Sequence, residues 1–142
     1  MAIYSLANRT SNVTTGNPSF ELIAPAAARV RLMEIGIWLN AATQSPLGLG
    51  RPQAIGGTPT SPINVLAEDP NDATGGSRTA LAWGSPPTIP LQFFRRFNIA
   101  GAIGAGVIAT FPRGLVIAAA GTVILWNIAA VSVYDVHIVV DE

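Results

Sequence analysis

The 142-residue chain contains no cysteine and no lysine, and only one histidine, His137. Without cysteine there is no disulfide framework, no thiolate zinc site and no thiol nucleophile. Without lysine there is no Walker-type phosphate loop. One histidine excludes a multi-histidine metal site and leaves any acid–base role on a single side chain for which the sequence nominates no partner. Charge is also scarce: charged residues make up 11% of the chain, against about 25% in ordinary globular domains. Eight arginines balance eight acids, so no net field draws nucleic acid or an anionic membrane. A monomer this poor in charge exposes wide apolar surface, and such surface marks contact sites. Arginine as the only strong cation agrees with that reading, because its planar, weakly hydrated head suits an interface.

No stretch of the sequence holds a helical period for three turns. The most apolar passage, "GLVIAAAGTVILWNIAAVSVYDV" from Gly114 to Val136, is long enough for a span, since a crossing needs about 20 apolar residues. Its β-branched residues, its break at Ala120-Gly121 and the strict alternation of Val131 to Asp141 point instead to strands. The passage therefore reads as three consecutive antiparallel strands, Leu115 to Ala119, Thr122 to Ile128 and Val131 to Val140. No secretory leader and no membrane segment are expected.

Ala2 to Ala7 and Ser19 to Ala24 also read as strands, as do Thr79 to Trp83, Leu91 to Asn98 and Gly106 to Phe111. In "ARVRLMEIGIWLN" the alternation slips between Leu32 and Met33, and a β-bulge there repairs it. From residue 43 to residue 90 proline and glycine dominate, which predicts a long irregular loop. About eight or nine short strands in one domain over residues 1–142 predict an all-β fold, an antiparallel sandwich or jelly roll.

Several constellations invite chemistry. "EDPNDATGG", Glu68 to Gly76, has residue types found in calcium loops but departs from the EF-hand pattern at its glycine and at its last ligand, and reads as an Asx-rich turn. "GAIGAG", Gly101 to Gly106, has the wrong spacing for a nucleotide loop and reads as a connection. "FFRRF", Phe93 to Phe97, mixes arginine with aromatic rings. That mix serves single-stranded nucleic acid, but in a neutral chain it fits a protein partner better, because Arg and aromatics dominate interface hot spots. His137 falls on the polar parity of the last strand and reads as a solvated or interface residue. No catalytic residue, metal or cofactor is assigned.

Taken in order, "IYSLANRTS", "ARVRLMEIGIWL", "GLGRPQAIGGTPTSP", "LAEDPNDA", "FFRRF", "TFPRGLVI" and the acidic end "VVDE" resemble the small head proteins with which tailed bacteriophages decorate or cement their capsids. The resemblance runs from Ile3 to Glu142. It implies a homotrimer of sandwich or jelly-roll subunits on the outer face of the virion, assembled in the host cytoplasm. Such subunits bridge major capsid proteins at three-fold and quasi-three-fold positions and hold the DNA-filled shell against internal pressure. Within that frame, an N-terminal arm over residues 1–15 and the loop Pro46 to Pro62 are expected to reach the shell. Arg51, beside Pro52, is the first candidate anchor to an acidic shell residue, followed by Trp83, Phe93, Phe94, Arg95 and Arg96. Two other classes share the architecture: a receptor-binding or fibre-associated trimeric module, with Trp38, Trp83 and Trp126 as candidate stacking surfaces, and a cupin-type enzyme, for which a single histidine is a poor ligand set.

Overall fold

Alternating apolar residues punctuated by Gly, Pro and Asn fold into antiparallel strands, and the computed structural model, which describes residues 2–142, contains no helix among them. The passage from Gly114 to Val136 is strand and turn, and among the described residues no helix is long and apolar enough to cross a membrane. Eight long strands build the frame: β1 (Ile3–Arg9), β2 (Pro18–Ile23), β3 (Val30–Leu39), β4 (Ser45–Pro52), β10 (Pro90–Ile99), β11 (Gly106–Ile117), β12 (Thr122–Asn127) and β13 (Tyr134–Asp141). Five short ones lie between β4 and β10: β5 (Gly57–Pro59), β6 (Ile63–Asn64), β7 (Leu66–Ala67), β8 (Arg78–Ala80) and β9 (Trp83–Ser85).

One sheet runs β11-β3-β13-β1-β7 and the other β10-β4-β12-β2-β8-β6, while β5 and β9 form a separate ribbon. Except for β4 and β10, successive long strands change sheet, which is the strand order of a jelly roll. Between the sheets lie Phe20, Leu22, Leu32, Ile35, Ile37, Leu47, Leu49, Leu125, Tyr134 and Ile138, all essentially buried. Each such side chain contributes about 1.5–3 kcal/mol by leaving water. The Tyr134 hydroxyl bonds the Ser19 hydroxyl across the core. The irregularity in β3 falls where the alternation slips: Leu32 pairs with Val140 and Glu34 with Val139, so Met33 is the extra residue.

Three expectations need correction. The passage from Leu115 to Val140 is not a run of three neighbouring strands. β11 and β13 flank β3 in one sheet, and β12 lies in the other, between β4 and β2. The turn after β11, with Ala120 at φ 57° and the Gly121 N–H donating to the Ala118 carbonyl, is a corner between sheets rather than a hairpin. Nor is the Pro/Gly stretch irregular throughout, because β4 is a central strand. Gly48 and Gly50 are required there: a Cβ at Gly48 would run into the Phe93 ring, and one at Gly50 would lie 2.7 Å from the Pro90 Cβ. Finally, the N-terminal segment is no free arm, since β1 pairs with β13 along its whole length and with β7 on its other side. The chain beyond it is held too, by the Thr10 N–H on the Tyr134 carbonyl and the Gly16 N–H on the Asn127 carbonyl.

The thirteen strands among the described residues exceed the expected eight or nine because the stretch between β4 and β10 supplies short extensions to both sheets and the separate β5–β9 ribbon. The strand expected over Thr79 to Trp83 is divided between β8 and β9. The two expected over Gly106 to Ala119 join as β11, interrupted between Thr110 and Leu115.

Candidate docking edge

β10 and β11 are the outermost strands on the same side of the sandwich, each paired along one edge only. Their free edges are exposed templates for association unless charge, proline or bulges blunt them. All three devices are present. Phe93 pairs with Gly50 and Arg95 with Leu49, which makes Phe94 an extra residue and splits "FFRRF" between two directions. Phe93 lies across Gly48 on the outer face, with Arg96 opposite that glycine in register. Arg95 shares the parity of inward-facing Leu49 and reaches the facing sheet instead, where its guanidinium sits 5.4 Å from the centre of the Phe111 ring.

Arg51 crosses the same gap from β4. Its Nη2 donates to the Val116 carbonyl of β11 at 2.7 Å, and its guanidinium lies 4.7 Å from the centre of the Phe94 ring. Arg96 covers Phe93 at 5.9 Å. Three arginines thus stack on three aromatic rings along one edge. Such stacks contribute about 0.5–1 kcal/mol each at exposed sites, and they hold the planar heads in place while leaving most N–H donors facing water. Arg113 extends the row: the Gly114 turn, at φ 68°, follows it, and its carbonyl accepts from the Arg31 Nη1 at 2.9 Å. Two open clefts meet at Phe94, one of about 520 Å³ bordered by Arg51, Pro52 and Leu91, the other of about 480 Å³ bordered by Arg95, Phe111 and Arg113.

None of Arg51, Arg95, Arg96 and Arg113 has a carboxylate partner among the described residues. Among the described residues the ion pair is Arg9 with Asp135 at 2.7 Å, and His137 Nε2 lies 3.3 Å from Glu34 Oε1, both elsewhere. Four of the eight acids, Glu68, Asp69, Asp72 and Glu142, lie on the far side. β7, at the opposite end of the first sheet, leads into exposed Glu68, Asp69 and Asp72. This is the Asx turn read from the sequence, with Asp69 Oδ1 accepting from the Asn71 backbone and side-chain nitrogens, both at 2.9 Å. Glu142 closes the same side by accepting from the Gly76 and Ser77 N–H groups. Burial, and then the negative charges of Glu142 and Asp72, push the Tyr4 hydroxyl above the ordinary phenol range.

Of the expected partner-binding residues, Arg51, Pro52, Phe93, Phe94, Arg95 and Arg96 converge on this edge. Trp83 does not. It sits on β9, and its indole N–H donates to the buried Glu21 carboxylate of β2. Burial raises the Glu21 carboxyl above the usual carboxylate range, and the Trp83 bond partly offsets the shift. Arg113 and Phe111 were not singled out from the sequence, although "TFPRG" repeats the juxtaposition of ring and guanidinium seen in "FFRRF".

A second surface lies on the outer face of the first sheet. The Trp38 ring lies over Gly36 and Gly106, where added Cβ atoms would strike it, and its centre is 5.6 Å from that of His137. "GAIGAG" is the β10–β11 connection, pinned by the Gly104 N–H on the Leu39 carbonyl at 2.8 Å. Comparison with protein-family models, curated proteins and solved structures finds no match to this chain, and the edge is interpreted on its own chemistry.

Proposed function

We propose that this protein is a structural module that decorates the outer face of a tailed-bacteriophage capsid, binding the major capsid shell as a homotrimer at three-fold and quasi-three-fold positions and stabilising it. The observation that carries the proposal is the arginine–aromatic edge. Four guanidiniums without carboxylate partners among the described residues, three of them held on aromatic rings, form a docking strip for acidic protein surface, whether that of a neighbouring subunit in the trimer or that of the shell. Carboxylates match the guanidinium fork in bidentate geometry, and rings fixed beside them add area at low entropy cost. The jelly-roll architecture, which viral capsid and lectin domains share, is compatible with this role but does not establish it.

The test is cosedimentation of the purified protein with shells stripped of it. Saturable binding is expected, weakened about tenfold or more by the double variant R51A/R95A. Wild-type protein that stays in the supernatant overturns the reading. The second reading, a receptor-binding or fibre-associated trimeric module, rests on Trp38, a ring laid flat on glycines beside His137 and Glu34. It predicts binding to host cells or glycans that Trp38→Ala removes, with no affinity for shells.

A further inference from the structure

We propose that the arginine edge is first of all a seam between copies of this chain: the β10–β11 edge of one copy receives the acidic edge around β7 of the next, head to tail. The inference rests on the reading of that strip as a protein-docking surface and names its partner.

The two edges differ in charge, lie at opposite ends of the sheets and match each other. β10 and β11 stand at one end of the two strand orders, β6 and β7 at the other. The first end carries Arg51, Arg95, Arg96 and Arg113, and the second leads into Glu68, Asp69 and Asp72. Not one of these seven makes an ion pair among the described residues. Both edges also expose aliphatic side chains beside their charges: Leu91 of β10 is 82% exposed and Leu66 of β7 is 65% exposed. Arg78 of β8, the strand beside β6, lines the same cavity as Glu21, and its charge acts on that carboxylate.

An isologous dimer through either edge would set like charges against like, which complementary interfaces avoid. Joining unlike edges satisfies both, and a heterologous contact of this kind generates a closed ring or an open filament. Two blunting devices favour discrete contact over continuous sheet. β7 is only two residues long, and β10 and β11 are irregular at Phe94 and between Thr110 and Leu115. With the ring size taken from the proposed function, three copies close it. The other surfaces, including the Trp38 face, remain open to the shell.

The experiment is charge reversal with complementary mixing, read as mass by light scattering and sedimentation in the absence of shells. R95E/R96E removes the basic edge and E68R/D72R the acidic one, so each variant alone is expected to be monomeric while wild type is trimeric. Mixed in equal amounts, the two offer one native and one charge-swapped matched pair of edges and are expected to associate into heteromers containing both variants. The gentler pair, R95Q/R96Q and E68Q/D72Q, checked by circular dichroism against wild type, covers poor folding of the reversals; each is expected to raise the trimer dissociation constant at least tenfold. Monomeric wild type, full trimer mass retained by the folded reversal variants, an unchanged dissociation constant in the neutral variants, or folded reversal variants that remain monomeric on mixing overturn the seam. If R95E/R96E keeps trimer mass yet no longer binds shells, the seam is wrong and the docking strip is right. If wild type forms the ring, the variants dissolve it and shells are ignored, the seam is right and the capsid reading is wrong.

Discussion

Glu21 is a buried carboxylate whose environment opposes its charge, and its behaviour with pH follows from that. A carboxyl whose folded pKa lies above the unfolded value binds its proton more tightly in the native state. Stability is therefore highest below the ordinary carboxylate value, falls as pH rises from there through the raised folded value, and levels off above it. Glu21→Gln keeps an acceptor for the Trp83 indole and removes the charge. Its melting temperature is expected to exceed that of wild type at pH 7.5, with the gap closing by about pH 4; a gap that widens on acidification would contradict the assignment. Trp83→Phe tests the other partner. It removes the indole donor from a buried carboxylate at a cost of about 1–3 kcal/mol, and thermal melts are expected to show the larger loss at pH 7.5, where Glu21 is more charged. Tyr134 offers a control without ionisation near neutrality, because burial drives its hydroxyl upward despite the opposing Ser19 bond. Tyr134→Phe is expected to lose about 1 kcal/mol, equally at both pH values.

At the scale of elements, β4 explains both what could be read from the sequence and what could not. Period-two alternation exposes strands whose two faces differ, so β3 and β13 are legible in the sequence, and the slip between Leu32 and Met33 marks the bulge in β3. β4 was hidden because Gly48 and Gly50 occupy positions where an ordinary strand would show side chains. Their absence makes room for Phe93 and Pro90, contacts from a strand some forty residues away in sequence. The partners of β12 were hidden for another reason: it is buried along its whole length, and an apolar strand covered on both faces carries no mark of its neighbours. The same logic governs the docking edge. Residue types singled out Arg51 and "FFRRF", but their meeting needs β4 beside β10 and an extra residue at Phe94. Gly48→Ala is expected to displace Phe93 and the Arg96 stacked on it, costing about 1–3 kcal/mol by overpacking and weakening docking. Phe93→Ala removes the ring that the new methyl strikes, so the double variant is expected to be more stable than the sum of the two single losses. Chemical denaturation of the four proteins measures that coupling; strict additivity would mean that Phe93 does not roof Gly48 in solution.

At the scale of the whole molecule, the shortage of charge and its arrangement have one consequence. With only 8 basic and 8 acidic side chains in 142 residues, placing four arginines on one edge and three acids on the other leaves each edge with little local compensation. Stability and association are then linked, because a partner that binds only the folded chain stabilises it in proportion to its concentration. The melting temperature is expected to rise with protein concentration over a hundredfold range and to fall as sodium chloride goes from about 0.05 M to about 1 M, where the screening length shrinks to about 3 Å. R95E/R96E is expected to remove both dependences while retaining a cooperative transition, since the core between the sheets contains neither arginine. Scanning calorimetry on wild type and variant at matched concentrations separates the terms. A wild-type midpoint that ignores both dilution and salt would mean that the two edges contribute nothing to one another, and that the jelly roll stands by its apolar core alone.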